Sequence, residues 1–306
     1  MAYIIDDRFD ALIPSEMADK AELIGVRKAH MSTGNMFILA ILAGAFIALG
    51  AIFATTVAAG CANLPYGIVR LLSGLAFSLG LILVVCAGSE LFTGNNLIVM
   101  AWASRKVGSG LLLKNWVIVF LGNFVGAFAT VIIMFESRQY LFGKGAVGLT
   151  ALTTADGKTN LGFVQAIALG IMCNALVCLA VWLTFGGRSI TDRILAIIPP
   201  IAAFVAAGFE HSVANMYFIP MGLFIKGYAP ASFWTTIGKT SADFPHLTWK
   251  HFFVNNLLPV TIGNIIGGAV LVGAVYWFVY HRNAKAHAAV SETPDLPVAG
   301  GTVLGG

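Results

Sequence analysis

Charge is scarce in this chain. Aspartate, glutamate, lysine and arginine together make up 10% of its 306 residues, and 58% are apolar; an average soluble domain carries roughly 25% charged residues. So little charge cannot cover a water-facing surface, which excludes a soluble packed domain and leaves lipid as the solvent for much of the chain. Cysteine is also sparse, and none of Cys61, Cys86, Cys173 and Cys178 has metal-site spacing, so small buried apolar residues are the expected role and no metal is expected. There is no Walker loop, no GxGxxG in a βαβ context, no HExxH and no Ser/His/Asp grouping that survives a span assignment. Enzymatic chemistry, ATP-driven transport and a bound cofactor are therefore not expected. The opening MAYIIDDRFD lacks a basic region before an apolar core and a small-residue cleavage site, so it does not read as a signal peptide. A formal charge of +4 spread over short loops gives no basic face for nucleic acid.

What is present is long apolar runs. Six are read, at 36–59, 68–88 with a continuation through 95–103, 112–135, 162–185, 194–208 with a continuation through 213–225, and 254–280. Each approaches the roughly 20 residues that cross hydrocarbon. With the N-terminus inside, the inner segments hold eleven Lys and Arg and the outer ones seven, so both termini are expected in the cytoplasm.

Three parts follow: a cytoplasmic N-terminal segment at 1–31, a six-span domain at 32–282, and a flexible tail at 283–306. Within the first, SEMADKAELIGVRKAH (15–30) carries Met17, Leu23, Ile24 and Val26 among charges, with Ser15 as the expected cap and Glu16, Asp19 and Glu22 following. It reads as a short amphipathic helix against the bundle or in the membrane interface. Lys20, Lys28 and His30 make it a candidate pH-responsive gate.

Two of the runs are interrupted. GSELFTGNN (88–96) and GFEHSVANM (208–216) place polar residues where the chain crosses lipid, and Gly88, Glu90 and Asn95 match Gly208, Glu210 and Asn215 at an offset of 120. Further on, Asn115, Gly122, Asn123 and Gly126 match Asn256, Gly263, Asn264 and Gly267 at an offset of 141, the extra 21 residues falling in 217–255. Three spans in each half force opposite topologies, so the fold class expected is all-α, six spans in an inverted 3+3 repeat with two broken helices.

A broken helix frees backbone groups that lipid cannot satisfy, so the breaks belong at the bundle centre, facing each other across a path. Glu90 and Glu210 are either braces for that backbone or pore acids, and exposed pore acids would indicate cation conduction. His211 is the only histidine inside the six expected runs; beside Glu210 and opposite Thr93, it is the candidate central group, with a reference pKa of about 6.5. Aromatic and leucine residues near the breaks are candidates for dry constrictions. GNFVG and GNIIG read as helix-packing motifs.

GSELFTGNN, KNWVIVFLGNFVGA, GFEHSVANMYFIPMG and NNLLPVTIGNIIGGA recur in the order found in one family. The chain resembles the formate/nitrite transporter family, and within it the formate channels. That resemblance implies an aquaporin-like protomer with its own pore, assembled as a homopentamer in the bacterial inner membrane. It places Thr93 and His211 on the two broken-helix loops. Phe77, Leu81, Leu91 and Phe204 would line constrictions, with Phe92 a neighbouring candidate. Lys28, Asn174, Glu210 and Asn215 would surround the pore, and Lys158 would lie at the outer mouth. The implied function is passive, pH-sensitive conduction of formate or a similar small monovalent anion, with proton-coupled transport of formate or nitrite as the alternative.

Overall fold

The computed structural model describes residues 10–282; the expected tail at 283–306 lies outside them. Among the described residues the chain is all helical, with six helices long and apolar enough to cross a membrane. Pro14–Ala29 forms α1, and the spans begin with α2 (Thr33–Ala58) and α3 (Tyr66–Gly88). A tight turn over Gly94–Ile98 leads into the short α4 (Val99–Ala103), followed by the third span, α5 (Ser109–Glu136). After α6 (Ala146–Thr159) come the spans α7 (Phe163–Gly186) and α8 (Ile190–Ala207). The chain then forms α9 (Ser212–Tyr228), α10 (Ala231–Ile237) and the last span, α11 (His251–Tyr280).

Side-chain size sorts the faces of α2. Phe37, Ile38, Leu42, Leu49 and Phe53 are exposed on the bundle's outside, while Ala40, Ala43, Ala48 and Ala51 are fully buried. Hydrocarbon is as apolar as leucine, so bulky residues gain nothing by turning inward and small ones let the backbones meet. The GNFVG and GNIIG segments do this: a Cβ on Gly126 would overlap the Ile41 carbonyl, and one on Gly267 the Ile171 carbonyl.

Both expected breaks occur. α3 stops at Gly88 (φ 83°), and α8 is followed by Gly208 (φ 78°). A left-handed residue ends a helix, and glycine adopts that conformation without a Cβ penalty. Between these ends and the next helical turns, residues 89–93 and 209–211 cross the bundle centre without regular structure.

α1 lies against the bundle, packed on the 94–98 turn and α4. Its start differs from expectation: Ile13, not Ser15, is the cap residue, Pro14 follows it, and the Glu16 carboxylate accepts the Ile13 N–H at 3.0 Å. Proline fits the first helical position, where no donor is required. Its buried face is also different, because Leu23 is 52% exposed while Ala18, Ala21, Gly25 and Ala29 face inward beside Met17. Close approach explains this, a Cβ on Gly25 falling 3.2 Å from Ala101 Cβ.

The inserted residues of the second half form α10 and a tight turn at Ser241–Asp243. Asp156 on α6 holds the segment that follows, its Oδ1 accepting the N–H groups of His246 (3.1 Å) and Leu247 (3.0 Å). The last span begins earlier than expected, so His251 lies within a span, whereas His211 lies in the loop between α8 and α9. His211 is thus distinguished by the broken loop, not by being alone.

A candidate permeation site between two broken helices

The first loop is held by one asparagine. Asn123 Nδ2 donates to the carbonyls of Ala40 (2.7 Å) and Glu90 (2.9 Å), and its Oδ1 accepts the Phe92 N–H at 2.9 Å. The Glu90 N–H reaches the Leu39 carbonyl at 3.3 Å. The second loop repeats every contact. Asn264 Nδ2 donates to Gly170 and Glu210 carbonyls at 2.9 Å each, its Oδ1 accepts the Ser212 N–H at 2.9 Å, and the Glu210 N–H reaches the Leu169 carbonyl at 3.3 Å. An amide offers both donors and acceptors, so it can replace the ladder a broken helix loses. The packing reading of GNFVG and GNIIG therefore covered the glycines and missed the asparagines; an amide inside an apolar run, at matching positions in both halves, was the signal.

Each glutamate is buried, 4% exposed, and engaged at both oxygens. Lys28 Nζ lies 2.9 Å from Glu90 Oε1 and Asn95 Nδ2 2.7 Å from Oε2. Lys158 Nζ lies 2.6 Å from Glu210 Oε1, with Asn215 Nδ2 at 2.7 Å and Asn256 Nδ2 at 3.1 Å from Oε2. Asn115 and Asn256 complete the two clusters by donating to the backbone carbonyls of Lys28 (3.2 Å) and Lys158 (2.9 Å). Paired and bonded in this way, the carboxylates brace the loops and leave no unpaired acid to draw cations. Of the two asparagines facing the lysines, Asn95 Oδ1 accepts Lys28 Nζ at 2.8 Å, whereas Asn215 Oδ1 is buried without a partner.

Thr93 and His211 meet where the loops meet. His211 caps α9: its Nδ1 accepts the Ala214 N–H at 3.0 Å. A backbone N–H can only donate, so Nδ1 presents a lone pair and the hydrogen of the neutral ring sits on Nε2. Nε2 lies 3.0 Å from Thr93 Oγ1 and donates to it. The Thr93 hydroxyl hydrogen is then free of the ring. Behind them, the fully buried Asn174 Nδ2 bonds the Thr93 carbonyl (3.3 Å), Asn96 Oδ1 (3.0 Å) and the Asn264 carbonyl (2.7 Å), while Cys178 Sγ lies 3.3 Å from the Thr93 carbonyl.

A cavity opens on either side of this junction. One, of about 390 Å³, is lined by Lys20, Lys28, Leu81, Glu90, Leu91 and Arg193 among others. The other, of about 280 Å³, includes Arg70, Phe77, Lys158, Phe204, Glu210 and His211 in its wall. Leu81 and Leu91 belong to the first wall only, and Phe77, Phe204 and His211 to the second only. Phe204 forms a sheet of rings with its neighbours, edge-on to Phe77 at 5.6 Å and stacked on His211 at 5.9 Å. Thr93, Asn174 and Phe92 line neither cavity, Thr93 being fully buried between them; the Phe92 ring packs against Phe120 (5.0 Å) and Trp116 (6.3 Å). His30 also lies outside both walls, its Nδ1 2.9 Å from the Val26 carbonyl.

Arg70 went unused in the sequence beyond its count in the charge balance. Its Nε donates to the Ala206 carbonyl at 3.1 Å and its Nη2 to the Val205 carbonyl, which satisfies the freed end of α8 beside the second cavity. A lone arginine within an apolar run, where charge costs roughly 2.5–3.5 kcal/mol on insertion scales, was the signal.

Known proteins resemble this chain along most of its length. The family model described as formate/nitrite transporter matches residues 15–278. The formate channel FocA of Escherichia coli K12 is 47% identical over 282 residues, 92% of this chain and 99% of that protein. FocA of Haemophilus influenzae is 43% identical, over 86% of this chain and 93% of its own. Among solved structures, one described as a pentameric formate channel with formate bound shares 49% identity at a TM-score of 0.78, covering 81% of this chain and 97% of the other. These relatives are transport channels and not enzymes. The chain belongs to the formate/nitrite transporter family.

Proposed function

We propose that this protein is a passive channel for formate, with the Thr93–His211 pair at the centre of the path. The observation that carries this reading is the 3.0 Å bond between the two broken loops, seated between two cavities whose walls carry more cations than acids. The formate channels it resembles at 47% and 49% identity support formate as the substrate and a homopentamer as the assembly. We read the repeated contacts as an inverted 3+3 arrangement, aquaporin-like, with α1 and α6 as matching elements and both termini on the cytoplasmic side of the bacterial inner membrane.

The lining lysines and arginines attract the anion from either side. A carboxylic acid titrating near 3.9 lies about three units below neutral pH, so neutralising it costs about 4 kcal/mol. Stripping a bare anion of water costs several kcal/mol or more, which favours crossing the Leu and Phe walls as the neutral acid. The His211 ring has no spare proton while Nδ1 caps α9, because losing the Nε2 hydrogen would leave an imidazolate. His211 Nε2–H therefore orients the Thr93 hydroxyl, whose free hydrogen orients the substrate, and the substrate's proton comes from water, or through His211 only after the Ala214 cap is released.

Labelled formate uptake into proteoliposomes tests the reading, with charge moved per formate followed across a pH series. Flux above protein-free vesicles with no net charge is expected. One charge per formate at every pH would overturn crossing as the acid, and accumulation driven by a proton gradient would replace the channel with a coupled transporter.

A further inference from the structure

The two cavities differ in how their arginines are used. Val205 and Gly208 flank Arg70 in one wall, while Val85 and Gly88, 120 positions earlier, share the other with Arg193. Arg70 spends its guanidinium on the carbonyls of Val205 and Ala206. Arg193, in the first turn of α8, has its Nε buried with no hydrogen-bond partner.

Charge is also unequal. Lys20, Lys28 and Arg193 face the first cavity with Glu90 as its one carboxylate, and Glu90 is taken by Lys28. Among the described residues, Lys20 Nζ bonds only the Phe185 carbonyl, at 2.8 Å. Burial, then the positive charges of Arg193 and Arg188, hold the Lys20 pKa below the ordinary lysine range. The acids nearby are engaged elsewhere: Glu22 with Lys106, and Asp192 with the N–H groups of Arg188 and Ser189. Two positive charges, on α1 and α8, thus share one cavity wall without a carboxylate of their own among the described residues.

We propose that Lys20 and Arg193 form a binding site for a doubly charged oxyanion, such as inorganic phosphate or a small dicarboxylate, in the cavity on the α1 side of the Leu81–Leu91 wall. Formate would neutralise one of the two charges; a dianion neutralises both, and a guanidinium binds such oxygens in forked pairs. The cavity, at about 390 Å³, has room for it. Beyond lie Leu81 and Leu91, 1% and 2% exposed, a wall that no dianion crosses dry. An occupant here bridges α1 to α8 and plugs the route to Thr93 and His211. The plugging rests on the permeation reading above; the occupancy does not.

Phosphorus NMR of inorganic phosphate with the solubilised full chain tests occupancy, and formate flux with phosphate on the α1 face tests the plug. The wild type should broaden the phosphate line, and Arg193→Gln and Lys20→Gln should each weaken binding about tenfold, as for loss of one charge-assisted bond. Arg193→Lys, which keeps the charge, should retain part of the broadening and guards against a variant that fails to fold. Half-inhibition of formate flux should shift by the same factor in Arg193→Gln. Equal broadening in wild type and both glutamine variants, or none in the wild type, would overturn the site. If formate does not cross at all, the permeation reading fails while the line broadening still decides this one.

Discussion

His211 Nε2 and Thr93 Oγ1 are separated by 118 residues of chain and 3.0 Å of space. The bond has a fixed direction because the other ring nitrogen is committed to the Ala214 N–H. Replacing Thr93 by valine keeps the shape and removes the hydroxyl. Formate flux should fall about ten- to a hundredfold, the range for one hydrogen bond to a charged partner, while Thr93→Ser should keep most of it. Stopped-flow uptake in proteoliposomes reads both, and an unchanged Thr93→Val variant would remove the hydroxyl from the path.

Asn264 holds two backbone groups at the second loop, the Glu210 carbonyl and the Ser212 N–H, and ties them to the Gly170 carbonyl of α7. Asn264→Leu strands them where no water reaches, at about 1–3 kcal/mol for each group left unpaired. The variant should unfold at a clearly lower temperature in detergent, and Asn123→Leu should behave alike because it strips the matching loop. Unchanged melting in both would show that the loops do not depend on these amides.

Gly267 meets the Ile171 carbonyl where a methyl would sit. Gly267→Ala forces α7 and α11 apart, at about 1–3 kcal/mol for overpacking. Gly108, with nothing near its missing Cβ, is the control. Thermal unfolding of the two alanine variants should separate them.

Glu22 anchors α1 through Lys106. Burial alone would raise its pKa, but the bonds from Lys106 and Ser104 outweigh burial and hold it below the ordinary carboxyl range. A carboxyl depressed in the folded state stabilises fully above its unfolded value, about 4.3, and loses that contribution as pH falls through the folded value. Protection of the 14–29 amides, taken relative to their intrinsic exchange at each pH, should therefore fall on acidification below that point, and Glu22→Gln should flatten the response. Identical profiles would detach α1 docking from this carboxylate.

Some of the site was legible because membrane crossing is demanding. Polar residues inside an apolar run are costly, so GSELFTGNN and GFEHSVANM announced breaks without any coordinates, and their repetition with Asn123 and Asn264 announced that the breaks match. Glu90 and Glu210 could be narrowed to brace or pore acid and no further, since that choice turns on whether Lys28 and Lys158 reach them. Ser15 is not the cap because the preference for serine there is local, whereas the start of α1 is set by Pro14 and by Glu16 reaching back to Ile13.

By itself the sequence determined the six spans, the two interruptions and the family, because each is written in composition, period or motif along the chain. The tertiary structure alone decided which polar groups meet. It brought Lys28 to Glu90 and Thr93 to His211, turned Arg70 to the end of α8, and left Arg193 Nε without a partner. Those outcomes depend on helix crossings that juxtapose residues scores of positions apart, and hydrogen bonding acts over about 3 Å of space, a distance that sequence separation does not encode.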